Sequence, residues 1–102
     1  ARPLETEALR ESRAAYNANR ARVQALYQLR RDEPWKVPTW ELYLLQRAGL
    51  VAPVEEHDRM LDEYLAAIRA DESRRPLDQA RVVLTGAFCE QPPLNLVKSI
   101  EL

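Results

Sequence analysis

The amino-acid sequence predicts a mainly α-helical chain: three helices forming a hairpin or small bundle, then one strand and one helix that begin an α/β, parallel-sheet lobe. Three observations carry this expectation. Apolar residues recur at helical spacing through the first seventy or so positions. The 102 residues include only two glycines, too few for the turns of a complete α/β domain. Val82-Val83-Leu84 is a continuous apolar run followed closely by Gly86, as in a buried parallel strand that ends in a turn. The boundary falls in the polar, proline-containing stretch DESRRPLDQA, which divides residues 1–75 from residues 76–102.

The first helix is expected from Pro3 to about Arg31. Proline is tolerated in a first helical turn, and Glu5 and Glu7 suit the positive end of the helix dipole. Leu9, Tyr16 and Val23 recur every seven residues, with Ser12, Asn19 and Leu26 between them and Tyr27 widening the stripe. Arg10, Arg13, Arg20, Arg22 and Arg30 fall mostly outside it and read as a solvated charged face. Asparagine is a mediocre helix former, because its amide competes for backbone partners. Asn19 is therefore expected to bond across to a neighbouring helix, with Asn17 facing water. A contact with a ligand or a partner subunit is the other reading.

Pro34 and Pro38 stop the helix and bias the residues before them to extended geometry. Trp35 and Trp40 flank this connector and are expected to cap the core rather than to act as binding anchors. Thr39 is placed to cap a second helix, Trp40 to Ala48, which is apolar nearly all round and so expected to be buried between neighbours. Gly49 stands at its end. Pro53, Glu55 and Glu56 open a third helix. His57, Met60, Leu61, Tyr64, Leu65 and Ile68 form its apolar stripe. His57 is the sole histidine and has no second ligand at metal-site spacing, so it reads as a helix-start or packing residue. Arg81 to Thr85 is the expected strand, and Leu94, Val97 and Ile100 give the last helix a sparse apolar stripe.

Charge and cysteine usage exclude several functions. With 15 basic and 16 acidic side chains the net charge is −1, so no basic field exists to hold nucleic acid or an anionic membrane. No apolar run reaches the roughly 18 residues of a membrane span. A single cysteine rules out an internal disulfide and an all-cysteine metal site made by one copy, and it suits a reducing cytoplasm. The chain does not begin with methionine, which points to a start inside a longer protein or to processing.

In open α/β sheets ligands bind beyond the carboxyl ends of the strands. The stretch Ala87-Phe88-Cys89-Glu90-Gln91-Pro92-Pro93 has that place. Cys89 can be read as a metal or cluster ligand, because thiolates bind iron readily, or as a small buried apolar residue. Glu90 can orient a ligand or move a proton. There is no C-x-x-C, no glycine-rich phosphate loop, no G-x-S-x-G and no paired acid–base set.

The stretch TGAFCEQPPLNLVKSIE resembles the loop of the benzoyl-CoA reductase and 2-hydroxyacyl-CoA dehydratase family, and its G-A-F-C-E-Q-P-P-L-N-L form is most similar to the benzoyl-CoA reductase branch. YNANRARVQALYQLRRDEP resembles the tyrosine-asparagine-x-asparagine-arginine helix of that family, and the stretch from Trp40 through AGLVAPVEEHDRMLDEYL resembles its next two helices in order and spacing. The resemblance covers most of the chain. It implies a large cytoplasmic anaerobic enzyme of two related subunits, each with a [4Fe-4S] cluster, served by an ATP-hydrolysing activator that delivers single electrons at very low potential. The reductase branch reduces the aromatic ring of benzoyl-CoA to a cyclic diene. The dehydratase branch removes water from a 2-hydroxyacyl-CoA through a ketyl radical.

On this resemblance, residues 1–75 correspond to the helical connection between two α/β lobes, and residues 76–102 to the first strand and helix of the second lobe. Cys89 matches a cluster ligand or a neighbour of the cluster, and Phe88, Glu90 and Gln91 are substrate-proximal candidates. The expected partners are the homologous second subunit, the activator and an acyl-CoA substrate. One thiol cannot hold a cubane, so this stretch by itself is expected to carry no cluster and no activity. The reading from another class is a non-catalytic helical interaction module, with self-association through the strand edge.

Overall fold

In a computed structural model, residues 5–77, 80–83, 85 and 93–101 are described. The elements in order are α1 (Thr6–Asp32), a single 3₁₀ turn (Pro34–Lys36), α2 (Thr39–Ala48), α3 (Val54–Ala70) and α4 (Leu94–Glu101). The first three helices form the expected small bundle. Hydrogen bonds between Tyr27 and Gln46, and between Arg30 and Thr39, show that α1 and α2 run antiparallel. Pairing of Glu41 with Tyr64, and of the Leu45 carbonyl with His57, shows the same for α2 and α3. It follows that α1 and α3 run in the same sense, as the Asn19–Asp58 and Arg22–Asp62 contacts confirm.

The sequence accounts for each boundary. α1 ends where Pro34 forbids continuation, and the Glu33 N–H closes on the Leu29 carbonyl at 2.7 Å. Pro34 pre-sets the backbone for the 3₁₀ turn, which drops Val37 into the base of the bundle with no exposed surface. Pro38 and Pro53 hold extended geometry at the N-caps of α2 and α3. After α3, the Asp71 carboxylate accepts from the Ser73 N–H and hydroxyl at 2.9 and 2.5 Å, an Asx turn that reverses the chain and brings Arg74 back to the bundle.

The core is Leu26, Val37, Leu42, Leu45, Leu61 and Leu65, with Ile68 buried beside it and Val23, Ala25, Leu29 and Tyr64 partly covered. The apolar face of α3 is as the periodicity predicts, except that Met60 lies on its exposed edge. The stripe of α1 is covered only in its C-terminal half: Leu9 and Tyr16 stay about half exposed while Leu26 is sealed. α1 has 27 residues, roughly 40 Å at the helical rise, and its first half projects past the other helices. The radius of gyration is accordingly 16.6 Å, against about 13 Å for a compact chain of this length.

Several expectations are corrected. α2 is not enclosed: Leu42 and Leu45 are buried, but Leu44 faces outward, because neighbours cover only one side. Trp35 and Trp40 are half-buried and stand outside the core. Thr39 is the first residue of α2 rather than its cap. Among the described residues there is no strand. Arg81, Val82, Val83 and Thr85 have no regular structure, and Val82 and Val83 are exposed. A strand needs a ladder partner for its N–H and C=O groups, and no described segment supplies one. The edge expected to mediate self-pairing is therefore absent there.

Gly49 has a role that a helix-end signal does not reveal. Its φ is −66°, open to any residue, but a Cβ there would lie 2.7 Å from His57 Cε1 and 3.0 Å from both ring nitrogens. Gly49→Ala is expected to destabilise the bundle by about 1–3 kcal/mol through overpacking. Leu26→Ala is expected to cost about 2–5 kcal/mol through the cavity it leaves. Chemical denaturation followed by circular dichroism measures both.

Candidate functional site

The sequence-predicted site residues Phe88, Cys89, Glu90 and Gln91 lie outside the described residues. The structure does describe the segments on either side of them, and both come to the first turn of α2. On the upstream side, Arg74 makes a bidentate pair with Glu41, at 2.6 and 2.7 Å, and donates to the Lys36 carbonyl at 2.8 Å. Tyr64 donates to the same carboxylate at 2.5 Å, and Asp71 lies 3.3 Å from Arg74 Nε. Further along, Arg81 donates to the Arg31 carbonyl at the end of α1 at 2.9 Å.

On the downstream side, the Glu101 carboxylate accepts from the Thr39 N–H at 2.7 and 3.0 Å and from the Thr39 hydroxyl. It thus caps α2 from outside, where Pro38 offers no side-chain acceptor. Arg30 completes the cluster. It donates to the Val37 carbonyl and, at 2.5 Å, to Thr39 Oγ1, with Glu101 3.7 Å away. Lys98 stacks on the Trp40 ring, 4.1 Å from its centroid. Between the two flanks is an open groove of about 330 Å³, with Trp35, Trp40 and the prolines Pro34 and Pro38 on one side and Leu77, Lys98 and Glu101 on the other.

Electrostatics fix the protonation states at Glu41. Burial alone pushes its carboxyl up, but hydrogen bonds from Arg74 and Tyr64 and the Arg74 charge outweigh it, so the pKa lies below the ordinary carboxylate value. Burial and the Glu41 carboxylate push the Tyr64 phenol well above its usual range, so it remains a donor. The hydrogen bond to Glu41 raises Arg74 further.

His57 is a packing residue, as its isolation in the sequence implies. Both ring nitrogens are engaged inside the bundle: Asn19 Nδ2 donates to Nδ1 at 2.9 Å, and Nε2 donates to the Leu45 carbonyl at 2.8 Å. Asn19 Nδ2 also donates to Asp58 at 2.8 Å, so its amide orientation is set by two acceptors. Asn17 faces water and accepts from Arg20 at 2.8 Å. Of the arginines read as a solvated face, Arg22 bonds Asp62 at 3.1 and 3.2 Å and lies 3.3 Å from Asp58, and Arg30 enters the Glu101 cluster. Sequence reading missed Arg22, Arg30, Glu41, Arg74 and Glu101 as a set, because tertiary packing brings their partners to them from other elements of the chain.

Among the described residues no group of three or more histidine, cysteine, aspartate or glutamate side chains could hold a metal ion. With Cys89 as its one cysteine, this chain cannot supply the full thiolate set of an iron–sulfur cubane. Among the described residues no helix is long and apolar enough to cross a membrane.

A three-helix bundle whose first α2 turn receives both flanks of a G-A-F-C-E-Q-P-P-L segment is the setting for the comparison with known proteins. Residues 1–102 match the 2-hydroxyglutaryl-CoA dehydratase, D-component family, and the chain belongs to that family. Among individual proteins, it is 57% identical over 102 residues to a benzoyl-CoA reductase subunit of Thauera aromatica, a match that covers 99% of this chain and 26% of that relative. The chain thus spans about a quarter of the length of the curated relative. No solved structure matches it.

The lowered pKa of Glu41 has a sign. A carboxyl with a native pKa below its unfolded value stabilises the fold above about pH 5, and that contribution is lost as pH falls through the native pKa. Urea midpoints of the chain and of Glu41→Gln are expected to differ at neutral pH and to converge in acid.

Proposed function

We propose that this chain is a segment of an ATP-dependent benzoyl-CoA reductase subunit that works in anaerobic aromatic degradation in the cytoplasm. The observation that carries the reading is 57% identity across all 102 aligned residues to a benzoyl-CoA reductase subunit. The match of the whole chain to the 2-hydroxyglutaryl-CoA dehydratase family fits the same chemistry of thioester activation and gives the second reading, a 2-hydroxyacyl-CoA dehydratase subunit. In the first, an aromatic thioester gains two electrons and two protons to become a cyclic diene. In the second, a 2-hydroxyacyl thioester loses water with no net redox change.

On this reading residues 1–75 connect two α/β lobes, and residues 76–102 open the second lobe. There, in the longer subunit, Arg81–Thr85 finds the strand partner that the described residues lack. Cys89 is a ligand or neighbour of a [4Fe-4S] cluster whose other thiolates come from elsewhere in the protein. When bound, the cluster supplies one-electron transfer. Phe88, Glu90 and Gln91 are the substrate-proximal candidates, the partners are a homologous second subunit and an ATP-hydrolysing activator, and the 102-residue stretch alone is inactive.

The test is the full-length protein, purified without oxygen with its second subunit and activator and supplied with ATP and a low-potential reductant. ATP-dependent loss of benzoyl-CoA with appearance of the diene thioester is expected. Water loss from a 2-hydroxyacyl-CoA, with benzoyl-CoA untouched, would move the assignment to the dehydratase branch, and turnover of neither would sink both. In the same protein, Cys89→Ala is expected to lower bound iron where the thiolate is a ligand, and to keep iron while raising KM where it is a neighbour.

A further inference from the structure

Two exposed helix faces carry charges that the bundle itself does not use. On α1, Leu9, Arg13, Tyr16 and Arg20 recur at steps of four, three and four residues, which sets them in one stripe along the helix. On α3, Glu56, Met60, Glu63 and Ala67 follow the same steps. All eight residues are exposed. The α1 stripe holds only cations and the α3 stripe only anions, each pair seven residues apart. Among the described residues Arg13, Glu56 and Glu63 make no side-chain hydrogen bond or ion pair, and Arg20 bonds Asn17 of its own helix. A helix face that serves solubility usually mixes the two signs and pairs them four residues apart. The charges that α1 and α3 do share within the chain, Arg22 with Asp58 and Asp62, lie on other faces of the two helices.

We propose that the α1 stripe of one copy docks antiparallel on the α3 stripe of a second copy of this chain. Run that way, the stripes match position for position: Leu9 lies opposite Ala67, Arg13 opposite Glu63, Tyr16 opposite Met60 and Arg20 opposite Glu56. Two ion pairs then flank a phenol ring set against a thioether, itself a favourable contact. Run parallel, the charges still pair, but Leu9 falls ahead of Val54, where α3 begins. The antiparallel course also sets the two helix dipoles head to tail. The first half of α1 projects past the other helices, so this part of the stripe is open to a neighbour. A net charge of −1 leaves little general repulsion between copies. The stripe is about 16 Å long at the helical rise, short for a standard interface, so the association is weak and sensitive to concentration. It joins unlike surfaces, which makes the contact heterologous. Docking of this kind is independent of which thioester the enzyme acts on.

Sedimentation of the full-length subunit over a range of micromolar concentrations tests the docking. Concentration-dependent association is expected, weakened as salt rises toward about 1 M, where the screening length is about 3 Å. Reversing the α1 charges (Arg13→Glu with Arg20→Glu) or the α3 charges (Glu56→Arg with Glu63→Arg) is expected to weaken it at least about tenfold. Mixing the two reversed chains is expected to restore it, because the reversed α1 of one then meets the reversed α3 of the other. All four positions are exposed, so the fold is expected to be kept, which circular dichroism checks. A chain with Leu9→Cys, mixed with a chain with Ala67→Cys, is expected to give the mixed disulfide on oxidation, identified on the two peptides by mass spectrometry. A monomer at every concentration, reversed chains that associate as the native chain does, or a mixture that stays apart would each overturn the docking. Failure of the Leu9→Cys and Ala67→Cys chains to cross-link would overturn the antiparallel register.

Discussion

One imidazole ties the bundle together. His57 sits on α3, accepts from Asn19 on α1 and donates to the Leu45 carbonyl on α2, so a single ring contacts all three helices through directional bonds. Leucines pack well in more than one register, and a core of Leu26, Leu42, Leu45, Leu61 and Leu65 does not by itself choose among them. A buried ring with two engaged nitrogens does choose, since sliding any helix by a residue would leave a buried polar group unpaired. Gly49 is the steric side of this arrangement. The chain turns from α2 to α3 directly over the ring, and only a residue without a side chain clears it. The parallel course of α1 and α3 follows, and with it the pairing of Arg22 with Asp58 and Asp62 one turn further along.

The surface left over has a pattern of its own. Most of the exposed apolar residues lie in four places: the first half of α1, Leu50 and Val51 at the α2–α3 turn, Val82 and Val83, and α4; Tyr27, Leu44, Met60 and Leu77 stand outside them. On the proposed reading the last three of these places meet the two α/β lobes, while the arginine and aspartate pairs between α1 and α3 face water. Val82 and Val83 make the point most clearly. Their sequence has the character of a strand buried on both faces, and their exposure here reflects the lack of ladder and covering helices among the described residues.

Much of the fold was legible because local physics decides it. The 3.6-residue period placed the buried face of α3, the prolines placed the breaks, and Asn19 announced a cross-helix bond by being a poor helix former in mid-helix. What escaped has a common cause. Arg22 and Arg30 fall at positions typical of a solvated face, and nothing in α1 distinguishes them from Arg10 or Arg13. The difference lies in which carboxylates tertiary packing brings opposite them. Glu101 reads as the tail of a weak helix, yet it caps α2 from 62 positions away. The candidate site followed the same division. Cys89 and its neighbours were singled out by their place after the expected strand and by a family resemblance, and they lie outside the described residues; the contacts that fix the flanking segments could not be read at all, because they join parts of the sequence that no periodicity relates.

The two ion pairs at the α2 turn also explain how so much charge can be held beside a helix terminus without building a net field. The positive end of α2 favours anions, and two arrive: Glu41 from its own first turn and Glu101 from α4. Alone, two carboxylates at one helical turn would repel. Each is instead met by a guanidinium from a different element, Arg74 from the linker and Arg30 from α1. The result is two opposite-charge pairs on adjacent sides of one turn, each compensated locally. Removing either arginine takes from a carboxylate at the start of α2 the guanidinium that lies beside it. Both carboxylates meet on one helical turn, so the linker after α3 and the last helix are both joined to α2 by charge-assisted contacts.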